Sequence, residues 1–376
     1  LVNIFWGWQT ASFKEIKQWK WRRICMIAKK KNVHEFDNRF LVVAVLFLLC
    51  LSFSHTYSLA AEFPEEPARP KIGLVLSGGG ARGAAHIGVI KVLEELRIPI
   101  DYITGTSMGS IVGGLYASGM TIEELETVVT SLDWADAFKD LIPREDRSYR
   151  RKSDDHTYLV KSKPGLSDDL EIKLPSGLLQ GQKIDLVLKR LVLPVNSIRD
   201  FDDFRIPFRA VATDITTGKA VILGSGDLAM AMRASMSVPA AFSPVEIDGK
   251  LLVDGGVSNN LPVDVIREMG ADIIIAVDIS TPLRTRGELT TALTITGQLT
   301  GILTRRNTEE QIATLTENDI FIVPELGDIS SAAFDRADEA IPIGYKAAEQ
   351  KKQELLRLSE SQKGFASYQA AQHKAL

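Results

Sequence analysis

Cysteine is all but missing: the 376 residues contain two, Cys25 and Cys50, both within the first sixty positions. Beyond that leader the chain has no disulfide, no thiolate nucleophile and no cysteine-ligated metal. Histidine is scarce as well, five in all, so few imidazoles are on hand for proton transfer. The apolar run Phe40–Leu51 stops at twelve residues, short of the ~20 that a membrane-spanning helix needs. Positive charge is in deficit. Removing the nine basic and three acidic residues of positions 1–60 from totals of 44 and 48 leaves 35 and 45, a net charge of −10. A body that acidic excludes ordinary nucleic-acid binding.

The front of the chain has its own character. Lys29, Lys30, Lys31 and Arg39 precede the apolar run, and Ser58, Leu59 and Ala60 follow it. Basic region, apolar core and small residues together predict a secretory signal peptide cut after Ala60, with a periplasmic or extracellular destination. Met26 would start a signal of ordinary length. Residues 1–25, which begin at Leu1 and carry four tryptophans, read as an over-extended translation. Lipidation at Cys50 is disfavoured by the bulky Leu49 before it. Ala61–Pro70 holds Pro64, Pro67 and Pro70 and reads as an extended linker.

From Lys71 the pattern alternates strands with helices, which predicts an α/β fold with a mostly parallel central sheet. Strands are expected at 72–76, 100–103, 208–213, 220–223, 273–277 and 320–323. A hairpin is expected around Asp248-Gly249. Helices are expected at 84–96, 107–118, 183–192, 228–236, 262–269, 293–315 and 347–358, with Thr121 and Glu124 forming a capping box on another. Between Trp134 and Gly181 the periodicity weakens, as in a cap or lid over a cleft. Arg144, Arg147, Arg150, Arg151 and Lys152 cluster there. They are either a solvated loop face or a contact for anionic lipid headgroups. The tail from Ser359 is expected to be disordered.

Two glycine-punctuated turns interrupt this alternation in quick succession. Ser77-Gly78-Gly79-Gly80-Ala81-Arg82-Gly83 follows the first strand, and Gly105-Thr106-Ser107-Met108-Gly109 follows the second. Ser107 thus stands where a strand turns into a helix, with a glycine two positions to either side, the arrangement of a nucleophile elbow. A hydroxyl that attacks a carbonyl needs a base and donors for the oxyanion. Backbone N–H groups of Gly78, Gly79 and Gly80, between a strand and a helix N-terminus, are candidate donors. The base is harder. A triad in the order serine, acid, histidine finds only His373 after Asp254, in the expected tail. His86 precedes the serine and is expected to serve in the core, and His156 lies in the irregular excursion. A carboxylate acting directly is the remaining route: Asp254 ends an apolar strand and precedes Gly255 and Gly256. Taken by itself, Asp254-Gly255-Gly256 is equally an ordinary β-turn.

These motifs, in this order, resemble the bacterial patatin-like phospholipase family. Gly78–Gly83 is similar to its glycine-rich oxyanion loop, Gly105–Gly109 to its elbow, and Asp254-Gly255-Gly256 to its aspartate turn. Arg233–Pro239 resembles the family as well. The resemblance covers residues 71–281, with 282–358 as an extension packed on that domain. It implies a three-layer α/β/α fold and a Ser/Asp dyad, with Ser107 as nucleophile and Asp254 as general base. It also implies an oxyanion hole in the 78–80 loop and a basic position at Arg82, which either holds that loop or binds phosphate. The expected substrates are acyl esters of phospholipids or related lipids, met at a membrane surface in passing, with no cofactor and no metal. Two rivals remain. Gly78–Gly83 fits a dinucleotide fingerprint whose acidic partner would be Asp101, although that residue stands near the start of its strand rather than the end. The other rival is a silent scaffold that binds lipid or protein without turnover.

Overall fold

The computed structural model describes residues 69–138, 165–166, 172–173, 179–239 and 241–373. The leader, the linker up to Ala68, the basic cluster and His156 lie outside the described residues. In chain order the elements are β1 Ile72–Leu76, α1 Ala85–Glu95, β2 Tyr102–Thr106, α2 Met108–Ala117, α3 Ile122–Ser131 and the short α4 Trp134–Ala137. The two-stranded pair β3 Gly165–Leu166 and β4 Ile172–Lys173 follows, then α5 Gln182–Leu191, β5 Phe208–Asp214, β6 Ala220–Leu223 and α6 Leu228–Ser235. The remainder comprises β7 Val245–Ile247, β8 Lys250–Asp254, α7 Val263–Glu268, β9 Ile273–Val277, α8 Ala292–Ile312 and β10 Ile320–Ile322. Three helices close the chain: α9 Ala337–Gln350, α10 Lys352–Leu355 and α11 Gln362–His373.

Eight strands form one sheet in the order β10-β9-β1-β2-β5-β8-β7, with β6 also paired to β5. The first five are parallel, β6 and β8 each pair antiparallel with β5, and β7 pairs antiparallel with β8. Because side chains alternate along a strand, each central strand feeds two cores. Leu74, Leu76, Ile275 and Val277 join the cluster that includes α1 and α2. Val75, Ile274 and Ala276 join Val263 and Ile266 of α7 on the opposite face. The result is the three-layer α/β/α arrangement with a mostly parallel sheet. Gly113 and Gly114 let α2 lie close on this sheet, since added Cβ atoms would come within 3.0 Å of Ile103 and 3.2 Å of Phe208. The β7–β8 turn has both Asp248 and Gly249 at positive φ, 49° and 72°, the pairing that suits a tight hairpin. Among the described residues, no helix is long and apolar enough to cross a membrane.

Three expectations need correction. The tail is ordered: α11 is docked by Tyr368, whose hydroxyl donates to Ile100 O at 2.6 Å and accepts from Ile100 N at 2.9 Å. The closing helix starts at Ala337 rather than Ala347, and it contains Pro342. Asp101 does not stand ready for a ribose. It accepts both Arg69 guanidinium bonds, at 2.6 and 2.7 Å, and the N–H of Ile72, which removes the support for a dinucleotide fingerprint.

Candidate active site

At the end of β2 the chain reverses through Ser107, which has φ 53° and ψ −122°, a strained conformation for a residue with a side chain. Close backbone approach explains the glycines around it. A Cβ on Gly105 would lie 2.4 Å from Gly109 O, and one on Gly109 would lie 2.2 Å from Leu76 O. The strained peptide is held from both ends. Ser107 N donates to Ser235 Oγ at 2.9 Å, and Ser107 O accepts from Ser110 N at 2.9 Å and Ser110 Oγ at 2.7 Å. Ser235 Oγ donates in turn to Val211 O, so α6 and β5 both brace the elbow.

Asp254 closes β8 beside it. Ser107 Oγ donates to Asp254 Oδ2 at 2.7 Å, and Gly256 N donates to Asp254 Oδ1 at 2.8 Å. The aspartate backbone is fixed through Asp254 N to Ser237 O and Thr213 Oγ1 to Asp254 O, each 2.9 Å. Both side chains are buried. Burial raises the Asp254 carboxyl to about 6, against the two hydrogen bonds that favour its ionised form. A carboxylate lifted that far is a better proton acceptor yet still ionised at neutral pH. Gly255 has no room for a side chain: a Cβ would sit 2.2 Å from Val211 O.

No imidazole among the described side chains hydrogen-bonds to this pair. His86 is fully buried in α1, its Nε2 pairs with Ser77 O at 2.9 Å, and burial lowers it to about 4. His373 ends α11. Among the described residues, the only side chain hydrogen-bonded to the Ser107 hydroxyl is Asp254.

The glycine-rich loop divides its tasks differently from the sequence expectation. Gly78 N is engaged by Asn260, to the main-chain oxygen at 3.3 Å and Oδ1 at 3.2 Å, so it is not a free donor. Gly78 serves close packing instead, since a Cβ there would be 2.6 Å from Asn260 Oδ1 and 3.0 Å from Ser107 Cβ. The N–H groups of Gly79 and Gly80 have no acceptor among the described residues, and neither has Met108 N at the head of α2. All three residues border the same cavity as Ser107. Gly80 has φ 58°, and a Cβ there would meet Ser331 O at 2.1 Å. Arg82 is buried and turned away from the cavity. Its Nε donates to Ile279 O and its Nη1 to Ile329 O, each 2.9 Å, and burial lowers its pKa. Of its two expected roles, it holds the loop. Gly83 meets α2, where a Cβ would be 2.1 Å from Met108 Cγ.

The cavity measures about 750 Å³. On one side it is lined by Ile111, Met236, Phe138, Phe242 and Phe334, with the Phe138 ring 5.5 Å from Phe242 and 4.8 Å from Phe334. Arg284, Gln298, Thr304 and Arg305, from the segment after β9, contribute a polar part of the wall. Arg233 supports the apolar part: its Nη1 donates to Ser237 Oγ at 2.6 Å, its Nε pairs with Asp185 at 2.9 Å, and it lies 4.9 Å from the Phe242 ring centre. Four contributors went unseen in the sequence: Ser235, Thr213, Asn260 and Met108 N. Ser235 and Met108 carried a signal, because they fall within Arg233–Pro239 and Gly105–Gly109.

Comparison with known proteins places the chain in a family. The family model described as patatin-like phospholipase matches residues 74–267. An uncharacterised NTE family protein of Mycobacterium tuberculosis strain H37Rv is 37% identical over 211 residues, covering 56% of this chain and 49% of that protein. The human patatin-like phospholipase domain-containing protein 6 is 34% identical over 223 residues, covering 58% of this chain and 14% of its own. The alignments thus span about half, or much less, of those relatives' own length. Among solved structures, VipD from Legionella pneumophila superposes with a TM-score of 0.42 at 16% identity, covering 77% of this chain and 67% of its own.

Proposed function

The chain belongs to the patatin-like phospholipase family, and we propose that it is a serine esterase that cleaves acyl esters of phospholipids or related lipids through an acyl-Ser107 intermediate. The observation that carries this reading is the 2.7 Å bond from Ser107 Oγ to a buried Asp254 carboxylate, beside N–H groups that have no acceptor among the described residues. As Oγ attacks the ester carbonyl carbon, Asp254 Oδ2 accepts the hydroxyl proton. The carbonyl oxygen becomes an oxyanion facing the N–H groups of Gly79, Gly80 and Met108. Such donors are each worth about 2.7–4 kcal/mol when they match the transition state. Collapse breaks the ester C–O bond, and the departing alkoxide takes the proton back from Asp254. A water then repeats the sequence: Asp254 accepts its proton, the hydroxide adds to the acyl carbon, and Ser107 leaves reprotonated as the fatty acid departs.

The aromatic part of the cavity suits the acyl chain, and the Arg284 and Arg305 part suits a polar or anionic headgroup. The leader pattern supports export, so the substrates would be periplasmic or extracellular lipids met transiently at a membrane surface. The test is a fluorophosphonate probe on purified protein. Wild type is expected to be labelled, Ser107→Ala unlabelled and Asp254→Asn strongly slowed. Labelling that survives the loss of Ser107 would put the nucleophile elsewhere.

A further inference from the structure

Along the first half of α8 one side is explained by the site and the other is not. Gly297, Thr300, Gly301, Thr304 and Thr308 border the cavity, and at 100° per residue they fall on one side of the helix. The second half of the helix is tied to the aspartate turn. Thr304 Oγ1 and Asn307 Nδ2 donate to Gly256 O at 2.8 and 2.9 Å, Asn260 N donates to Asn307 Oδ1, and Asp264 N donates to Gln311 Oε1. The opposite side presents Ile295, Leu299, Ile302 and Leu303, which are 50%, 59%, 46% and 48% exposed. Spaced i, i+4, i+7 and i+8, they form one continuous apolar stripe, which is uncommon on a surface helix.

Resting on the lipid-ester reading above, we propose that this stripe is where the protein docks on an anionic phospholipid bilayer, with α8 lying in the plane of the interface. Three observations favour a lipid surface over a second copy of the chain. The stripe joins a helix whose other face lines the cavity, so docking would hold the cavity about one helix diameter, ~10 Å, from the bilayer surface. Arg286 lies exposed just before α8 and forms no salt bridge among the described residues, while Arg284 is held on the cavity side, where its N–H donates to Gln298 Oε1. Glu288, the nearest acid in sequence, caps Thr285 through both its N–H and hydroxyl. On a chain whose charge beyond the leader is −10, Arg286 brings a cation to the segment that leads into the stripe. Finally, four half-exposed side chains of one helix fall short of the roughly 800 Å² per partner that a stable dimer buries. Shallow contact with a bilayer asks for less, since its strength scales with the apolar area buried plus attraction to anionic lipids.

The test uses the full chain carrying Ser107→Ala, so that binding is read without turnover, and vesicles of phosphatidylcholine with or without phosphatidylglycerol. Flotation is expected to show binding to the mixed vesicles, weakened by salt, and at least tenfold weaker with Leu299→Glu and Ile302→Glu together. The milder Leu299→Gln, whose side chain is exposed and bonds nothing, is expected to weaken binding less while keeping the wild-type melting curve. In the Ser107 background, Leu299→Glu is expected to leave hydrolysis of a short soluble ester unchanged and to depress hydrolysis of vesicle lipid. Unchanged flotation in these variants would overturn the proposal, as would wild-type dimers that Leu299→Glu dissociates. If soluble-ester hydrolysis is absent while the stripe variants still lose vesicle binding, the surface stands and the esterase reading falls.

Discussion

Replacing Asp254 by asparagine should separate what the carboxylate does for chemistry from what it does to stability. Asparagine keeps an oxygen for Gly256 N and a polar group beside Ser107 Oγ, so the local bonding survives. What disappears is the cost of burying an ionised group. The carboxyl stands at about 6 in the folded protein against 3.8 in the unfolded chain. Below pH 3.8 both states are protonated and the group contributes no difference. Between these values the unfolded chain has released its proton while the folded protein still holds it, so stability falls as pH rises through that window. It levels off above pH 6. A shift of about two units corresponds to about 3 kcal/mol at neutral pH relative to pH below 4. Asp254→Asn should therefore be more stable than wild type at pH 8, with a melting temperature higher by on the order of 5 °C, and nearly equal to it at pH 3.5. Probe labelling should meanwhile fall by about 10²–10⁴-fold, the usual share of a general base. Thermal melts of both proteins at the two pH values decide the matter. If the variant were less stable than wild type at pH 8, the aspartate would be a structural anchor and the strained-base argument would be wrong.

On the proposed mechanism the same titration acts on catalysis in the opposite direction. The ionised base is needed, so soluble-ester hydrolysis should be half-maximal near pH 6 and about tenfold lower at pH 5 than at neutral pH; a profile flat to pH 5 would exclude Asp254 as the base. Ser235→Ala removes the acceptor of Ser107 N, which should cost about 1–3 kcal/mol in urea unfolding and slow labelling, whereas unchanged labelling would show that the elbow needs no such brace. Gly109→Ala forces a Cβ to 2.2 Å from Leu76 O. It should destabilise by about 1–3 kcal/mol or more because backbone on both sides must yield, which a chemical denaturation curve would register.

How much of this was legible in the sequence depended on whether a residue's reason was local. Ser107 could be read because an elbow needs small neighbours within two positions, and Gly105 and Gly109 supply them. Asp254 could be read because its strand end and its glycine turn are contiguous. The sheet was legible for the same reason: β1, β6 and β9 are short apolar runs with turn residues at their ends, and each occupies the predicted span. Asn260 gave no signal, since its bond to Gly78 crosses 182 positions. Assigning Gly78 as a donor failed with it: a glycine loop shows that N–H groups are accessible, not which of them another loop has already taken. Met108 N was overlooked because backbone donors were sought in the glycine-rich loop and not in the elbow itself.

The misreadings at the C-terminus share a cause that says something about the site. Pro342 and Gly344 look like helix breakers, yet α9 runs through them because the helix is set by what it touches. A Cβ on Gly344 would fall 1.9 Å from Ala85 O, and one on Gly88 would fall 2.0 Å from Ile341 O. The two helices therefore cross with backbones in contact, and that crossing presses α1 onto the sheet directly behind the glycine-rich loop. Arg82 extends the same clamp to Ile279 and Ile329, and Ser331 O receives Ala81 N at 2.9 Å. Residues well beyond the motifs thus hold the loop in a shape in which Gly79 N and Gly80 N have no acceptor among the described residues. Both glycines are half-buried at the cavity wall, where a looser loop could turn its N–H groups toward acceptors of its own. Keeping two of them open beside Ser107 takes rigidity imposed from elsewhere, and here the last third of the chain imposes it.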